Sequence, residues 1–127
     1  MVRRSEGGSM TLPITRETIA AAYDFLCTTP PFSRWNLPDS EDVTFRVIRD
    51  PHVRGWYMLG HDGKHTIAIS SKCIGRTESL METLAHEVVH LHQGEVNMET
   101  PGAEHNRAFY KLAERVCRVH GFDERLF

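Results

Sequence analysis

The stretch Leu80-Met81-Glu82-Thr83-Leu84-Ala85-His86-Glu87-Val88-Val89-His90-Leu91 decides how this chain is read. Leu80, Leu84, Val88 and Leu91 recur at helical spacing and form one apolar stripe. At about 100° per residue, His86 and His90 fall together on a different face, one turn apart, with Glu87 between them and the stripe. Ser79 followed by Glu82 forms a capping box, Thr77 is a second N-cap candidate, and Gly94 is placed to stop the helix. The spacing therefore predicts a helix near 78–93 that buries one side and presents two imidazoles on another. His92 points elsewhere and reads as a boundary residue.

Two imidazoles four residues apart on a helix can reach one metal ion. The carboxylate beside them is then placed to take a proton from a water on that ion. His86-Glu87-Val88-Val89-His90 is thus the sequence signature of a zinc-dependent peptidase, with Zn2+ as the expected cofactor. A catalytic zinc takes three protein ligands and keeps one position for water. Six residues past His90, where a metzincin would place its third His, stands Val96. Glu95, Glu99, Glu104, His105, Glu114 and His120 remain. Of these, His105 opens a segment in which Phe109, Leu112, Ala113 and Val116 form the next amphipathic stripe. Glu99 and Glu104 are the alternative third ligands.

His105-Asn106-Arg107-Ala108-Phe109, fifteen residues after His90, resembles the H-x-x-x-F segment of the SprT-like (Spartan-type) metallopeptidases. The run Ile67-Ala68-Ile69-Ser70 ahead of Leu80 to Leu84 is similar to that family's strand-then-helix entry. The resemblance covers roughly residues 65–120. It implies zinc held by His86, His90 and His105, with Glu87 as catalytic base. Two departures stand out: Asn106 occupies a position that is usually Gly in the family, and no Cys-rich zinc ribbon follows. The second departure removes one proposed nucleic-acid-binding element.

A chain of 127 residues fits one domain, read here as residues 11–127 behind a Gly/Ser-rich, charged disordered tail at 1–10. Cys27, Cys73 and Cys117 are odd in number and widely spaced, which argues against a disulfide framework and for a reducing, cytoplasmic setting. No run approaches the ~20 apolar residues of a membrane span, so no membrane partner is expected. The net charge of −2 supplies no global attraction to nucleic acid. Basic residues do occur locally, at Arg46, Arg49 and Arg54 and at Arg115, Arg118 and Arg125.

Thr15 reads as an N-cap, with Ile14 and Ile19 as a hydrophobic staple. Ile19, Ala22, Tyr23 and Leu26 form a helical stripe ending before Pro30-Pro31. Phe32 and Trp35 in the Pro-rich connection are placed to cap the core. Val43, Phe45 and Val47 alternate as a strand and Gly55 to Leu59 is a second. Asp62-Gly63 turns into a third strand, His65 to Ser70. Short connections predict an antiparallel meander. Gly121 closes the last helix. The expected architecture is α+β and zincin-like: N-terminal helix, three-stranded antiparallel sheet, motif helix, C-terminal helix.

In this reading Glu87 deprotonates the attacking water and later protonates the leaving amine of a peptide or protein substrate. Tyr110, Arg107 and His65 are the candidates for a second group at the oxyanion or substrate, and the sequence does not choose among them. The strand before the motif helix, His65 to Ser70, would offer a free edge to an extended peptide. The competing class is a zinc-containing binding or regulatory module without turnover, one version of it DNA-associated. The intact Glu87 argues against it, because a structural site has no need of that carboxylate.

Overall fold

The computed structural model describes residues 13–100 and 102–127. The expected tail at 1–10 lies outside the described residues. In chain order the elements are α1 (Arg16–Cys27), β1 (Val43–Ile48), β2 (Gly55–Leu59), β3 (His65–Ser70), α2 (Thr77–Glu95) and α3 (Arg107–His120). Single 3-10 turns at Phe32–Arg34 and Ser40–Asp42 lie between α1 and β1. The described chain is an α+β arrangement of three helices and a three-stranded sheet. Among the described residues, no helix is long and apolar enough to cross a membrane.

The sheet is mixed, which corrects the antiparallel meander. Its order is β1-β3-β2, with β3 parallel to β1 (Phe45 opposite Ile67) and antiparallel to β2 (Tyr57 opposite Ile67). β1 and β2 run in opposite directions but leave a strand-wide gap, and β3 inserts into it. The reason lies in burial. β1 buries Val43 and Phe45 but leaves Thr44, Arg46 and also the expected inward Val47 exposed, as an outer strand can, whereas Ile67, Ala68, Ile69 and Ser70 of β3 are all buried. A strand apolar on both faces is stable only in the middle. The β1–β2 link is pinned to the end of β3, where Ser70 donates to the Asp50 carbonyl at 2.6 Å and its N–H to Arg54 O at 2.8 Å. The β2–β3 hairpin forms as Asp62-Gly63 predicts, with Gly63 at φ 80°.

α1 packs against β1, and α2 packs against β2, β3 and both other helices. Thr15 caps α1, its Oγ accepting from the Thr18 N–H at 3.1 Å, and Ile19, Tyr23 and Leu26 are buried. Phe32 and Trp35 pack edge to face at 5.0 Å, and Trp35 stacks on His92 at 4.4 Å, so both aromatics close the core. In α2, Leu80, Leu84, Val88 and Leu91 are fully buried, as are Ala85 and Val89. This central helix is enclosed on more sides than its stripe alone requires. It also begins earlier than expected: Arg76 is the N-cap, and Ser79 closes the turn from inside, accepting from Arg76 N–H at 3.3 Å. Gly94 does not stop α2 but lies within it. On α3, Phe109, Ala113 and Val116 are buried and Gly121 ends the helix at φ 79°. Replacing Phe109 with Ala would cost about 3–5 kcal/mol by ordinary core energetics.

Candidate metal centre

α2 carries His86 and His90 one turn apart, and His105 immediately precedes the N-cap of α3. One nitrogen from each imidazole lies within 4.8 Å of the other two, a group that could hold a metal ion. Ring centroids are 5.0 Å apart for His86–His90, 5.0 Å for His86–His105 and 5.1 Å for His90–His105. The Phe109 ring touches all three, at 5.0 Å from His86, 4.6 Å from His90 and 4.4 Å from His105. The buried stripe of α3 thus supplies the apolar floor on which the imidazoles converge.

Two details fit these residues to a cation. His90 is only 8 % exposed, and its Nε2 is buried without any hydrogen-bond partner. An orphaned buried nitrogen is costly unless something electrophilic meets it. His86 hydrogen-bonds through Nδ1 to the main-chain oxygen of Phe127 at 2.8 Å, which leaves Nε2 as its free ligand atom. Metal-binding histidines commonly use such a partner to fix their orientation. Burial holds His86 down at about 4 and His90 at about 3, with neighbouring imidazoles adding to both, so each is neutral near pH 7. Neutral imidazole is the ligating form.

Glu87 is buried at the same place, and burial, aided by the charge of Glu104, pushes its carboxyl up to about 8. It lines both arms of a cleft beside the histidines. One arm, about 400 Å³, is bounded by Tyr57, Glu87, His90, Glu99, Glu104 and Asn106. The other, about 250 Å³, is bounded by Arg54, Gly55, His86, Glu87 and Phe127. β2 contributes to both arms, so the strand running along the cleft is β2. It is an outer strand with one unpaired edge. The expectation that β3 offers a free edge is corrected, because β3 is paired on both sides.

Glu99 and Glu104 form a wall of the larger arm, outside the close group of nitrogens. Tyr110 is 60 % exposed, its ring 6.3 Å from His105. Arg107 is exposed and lines neither arm. His65 is buried away from both arms, its Nδ1 2.7 Å from the Tyr57 hydroxyl and its Nε2 3.7 Å from Glu95. None of these three candidates lines either arm, and of them Tyr110 has its ring beside an imidazole of the cluster. A further polar side chain that faces the cleft is Tyr57, which sequence reasoning missed because an isolated Tyr in a strand carries no chemical signal. Burial, with the charges of Glu99 and Glu95, raises its pKa and keeps the phenol protonated.

No protein-family model matches the chain, and no curated protein matches it.

Proposed function

We propose that this protein is a zinc-dependent metallopeptidase of SprT-like, zincin-like type. One observation carries the reading: three imidazoles converge beside a buried carboxyl that faces both arms of one cleft. His86, His90 and His105 would hold the zinc. When bound, the ion supplies Lewis-acid polarisation of a peptide carbonyl and lowers the pKa of water toward neutrality.

This chain's own groups do the rest. Glu87 accepts the proton of the attacking water and delivers it to the departing amine. Its raised pKa suits the second task, and a dication nearby opposes the effect of burial and favours the carboxylate needed for the first. The Phe127 oxygen keeps His86 in one tautomer. The unpaired edge of β2 suits an extended peptide bound through its main chain, and such binding is tolerant of sequence.

The test is zinc content and hydrolysis of an unfolded protein such as casein, in the parent and in Glu87→Gln. The variant should retain zinc and fold while losing hydrolysis, because it removes a base and no ligand. Equal activity in both would show that the motif is not catalytic. A zinc-loaded parent without any turnover would leave the binding-module reading.

A further inference from the structure

His105 belongs to no regular element, and among the described residues its imidazole makes no hydrogen bond. Its position depends on its own backbone and on stacking against Phe109. The residue that governs that backbone is Asn106. Its Oδ1 accepts from the Phe109 N–H at 2.9 Å, capping α3, and from Gln93 Nε2 at 3.0 Å. Its Nδ2 donates to the Met98 carbonyl and to Thr100 Oγ1, both at 2.9 Å. One side chain thereby ties together α2, two points of the connection after it, and the first turn of α3.

Gln93 sits seven residues after His86, two turns along the same line of α2. It is 1 % exposed, and its Nε2 also reaches the Met98 carbonyl at 3.4 Å. A buried amide is costly unless its groups are partnered, so this pair is strongly specified. Helix capping alone does not account for it. Ser or Asp would cap α3 comparably well, but only an amide offers an acceptor to two donors and donors to two acceptors.

We propose that Gln93 and Asn106 form a positioning brace for the metal centre, holding His105 against His86 and His90 before any metal arrives. This inference rests on the three-histidine cluster as a metal site and is independent of peptide hydrolysis. Without the brace, His105 is carried on a connection whose ordering entropy opposes metal binding. Loss of an outer partner of this kind typically lowers metal affinity about 10–100-fold.

The experiment measures zinc affinity by competition with a chromogenic chelator, and the visible spectrum of the cobalt-substituted protein. It uses the parent, Asn106→Ser, Gln93→Met, the double variant and Asn106→Asp. Ser keeps the helix cap and Met keeps the volume of Gln93, while each removes the bond between the two elements. Each single variant should bind zinc about 10–100-fold more weakly, with an altered cobalt spectrum. The double variant should be no weaker than the worse single one. Asn106→Asp keeps the cap and the Gln93 bond but loses both Nδ2 donations, so its zinc affinity should fall between those of the parent and Asn106→Ser. A merely structural role would lower the unfolding midpoint of the zinc-free variants while leaving zinc affinity and the cobalt spectrum as in the parent, and that result overturns the brace. A parent that takes up no zinc overturns the metal centre itself and the brace with it.

Discussion

The Tyr57 hydroxyl lies where a side chain on residue 94 would be: a Cβ built on Gly94 would meet it at 2.5 Å, with two ring carbons at 3.3 Å. Gly94 is therefore the opening in α2 through which the β2 tyrosine reaches His65. Gly94→Ala gains about 1 kcal/mol of helix propensity. It also forces Tyr57 off His65, and overpacking of this kind costs about 1–3 kcal/mol. The net effect should be destabilisation, read from denaturant unfolding. In a Tyr57→Phe background the hydroxyl clash is gone, and the cost of Gly94→Ala should fall by about 1 kcal/mol or more. Equal costs in both backgrounds would mean that the hydroxyl is not what excludes a side chain.

Zinc binding should separate the histidines from the carboxylates near them. His86→Ala and His90→Ala should abolish uptake of one zinc per chain, and His105→Ala should lower affinity by orders of magnitude. Glu104→Ala and Glu99→Ala should leave it nearly intact, because both residues stand on the cleft wall. Loss of zinc in Glu104→Ala with retention in His105→Ala would transfer the third ligand to the carboxylate. The proposed chemistry would survive that result, whereas the SprT-like assignment would not.

The zinc-free protein should have a stability maximum set by the buried Glu87 and His90 and the half-buried His86. His86 and His90, lowered from 6.5 to about 4 and about 3, stay neutral in the fold while the unfolded chain takes up protons. Stability is therefore lost as pH falls below about 6.5. Glu87 acts oppositely. Raised from 4.5 to about 8, it keeps a proton that the unfolded chain releases, so its contribution is lost as pH rises through that window. The two trends balance near about pH 6.5, where each unfolded histidine holds about half a proton. Excess zinc should suppress the alkaline loss, since the cation favours the Glu87 carboxylate. Urea midpoints across pH 4–9, with chelator or with zinc, check this. A stability that rises steadily to pH 9 without zinc would contradict the buried, protonated Glu87.

Binding to duplex DNA should be weak and salt-sensitive, given a net charge of −2 and local arginines that are partly engaged. Arg54 reaches Glu82, Arg118 pairs with Glu114, Arg125 pairs with Asp123, and Arg46 lies over the Trp56 ring at 5.8 Å. Fluorescence anisotropy at low and physiological salt measures the affinity. Tight binding at the higher salt would show that these arginines form a nucleic-acid surface.

Local order was legible from residue spacing alone. The apolar period of Leu80, Leu84, Val88 and Leu91 implies the central helix and the shared face of His86 and His90. The cap at Thr15, the turn at Asp62-Gly63 and the stop at Gly121 follow from short-range hydrogen bonding and backbone sterics, which involve only a few neighbouring residues. The stripe of Phe109 and Val116 likewise brings His105 to the motif helix, because α3 must bury that stripe. What only the tertiary structure decided is long-range. The insertion of β3 between β1 and β2 depends on which strand is covered on both faces, and short connections by themselves suggest a meander. That same insertion makes β2 the strand along the cleft, brings Tyr57 there, and turns Gly94 from an apparent helix stop into an opening. Asn106 shows the limit most clearly. In sequence it is a departure beside a candidate ligand. In the fold it joins Gln93, Met98, Thr100 and Phe109, partners that no local rule of spacing brings together.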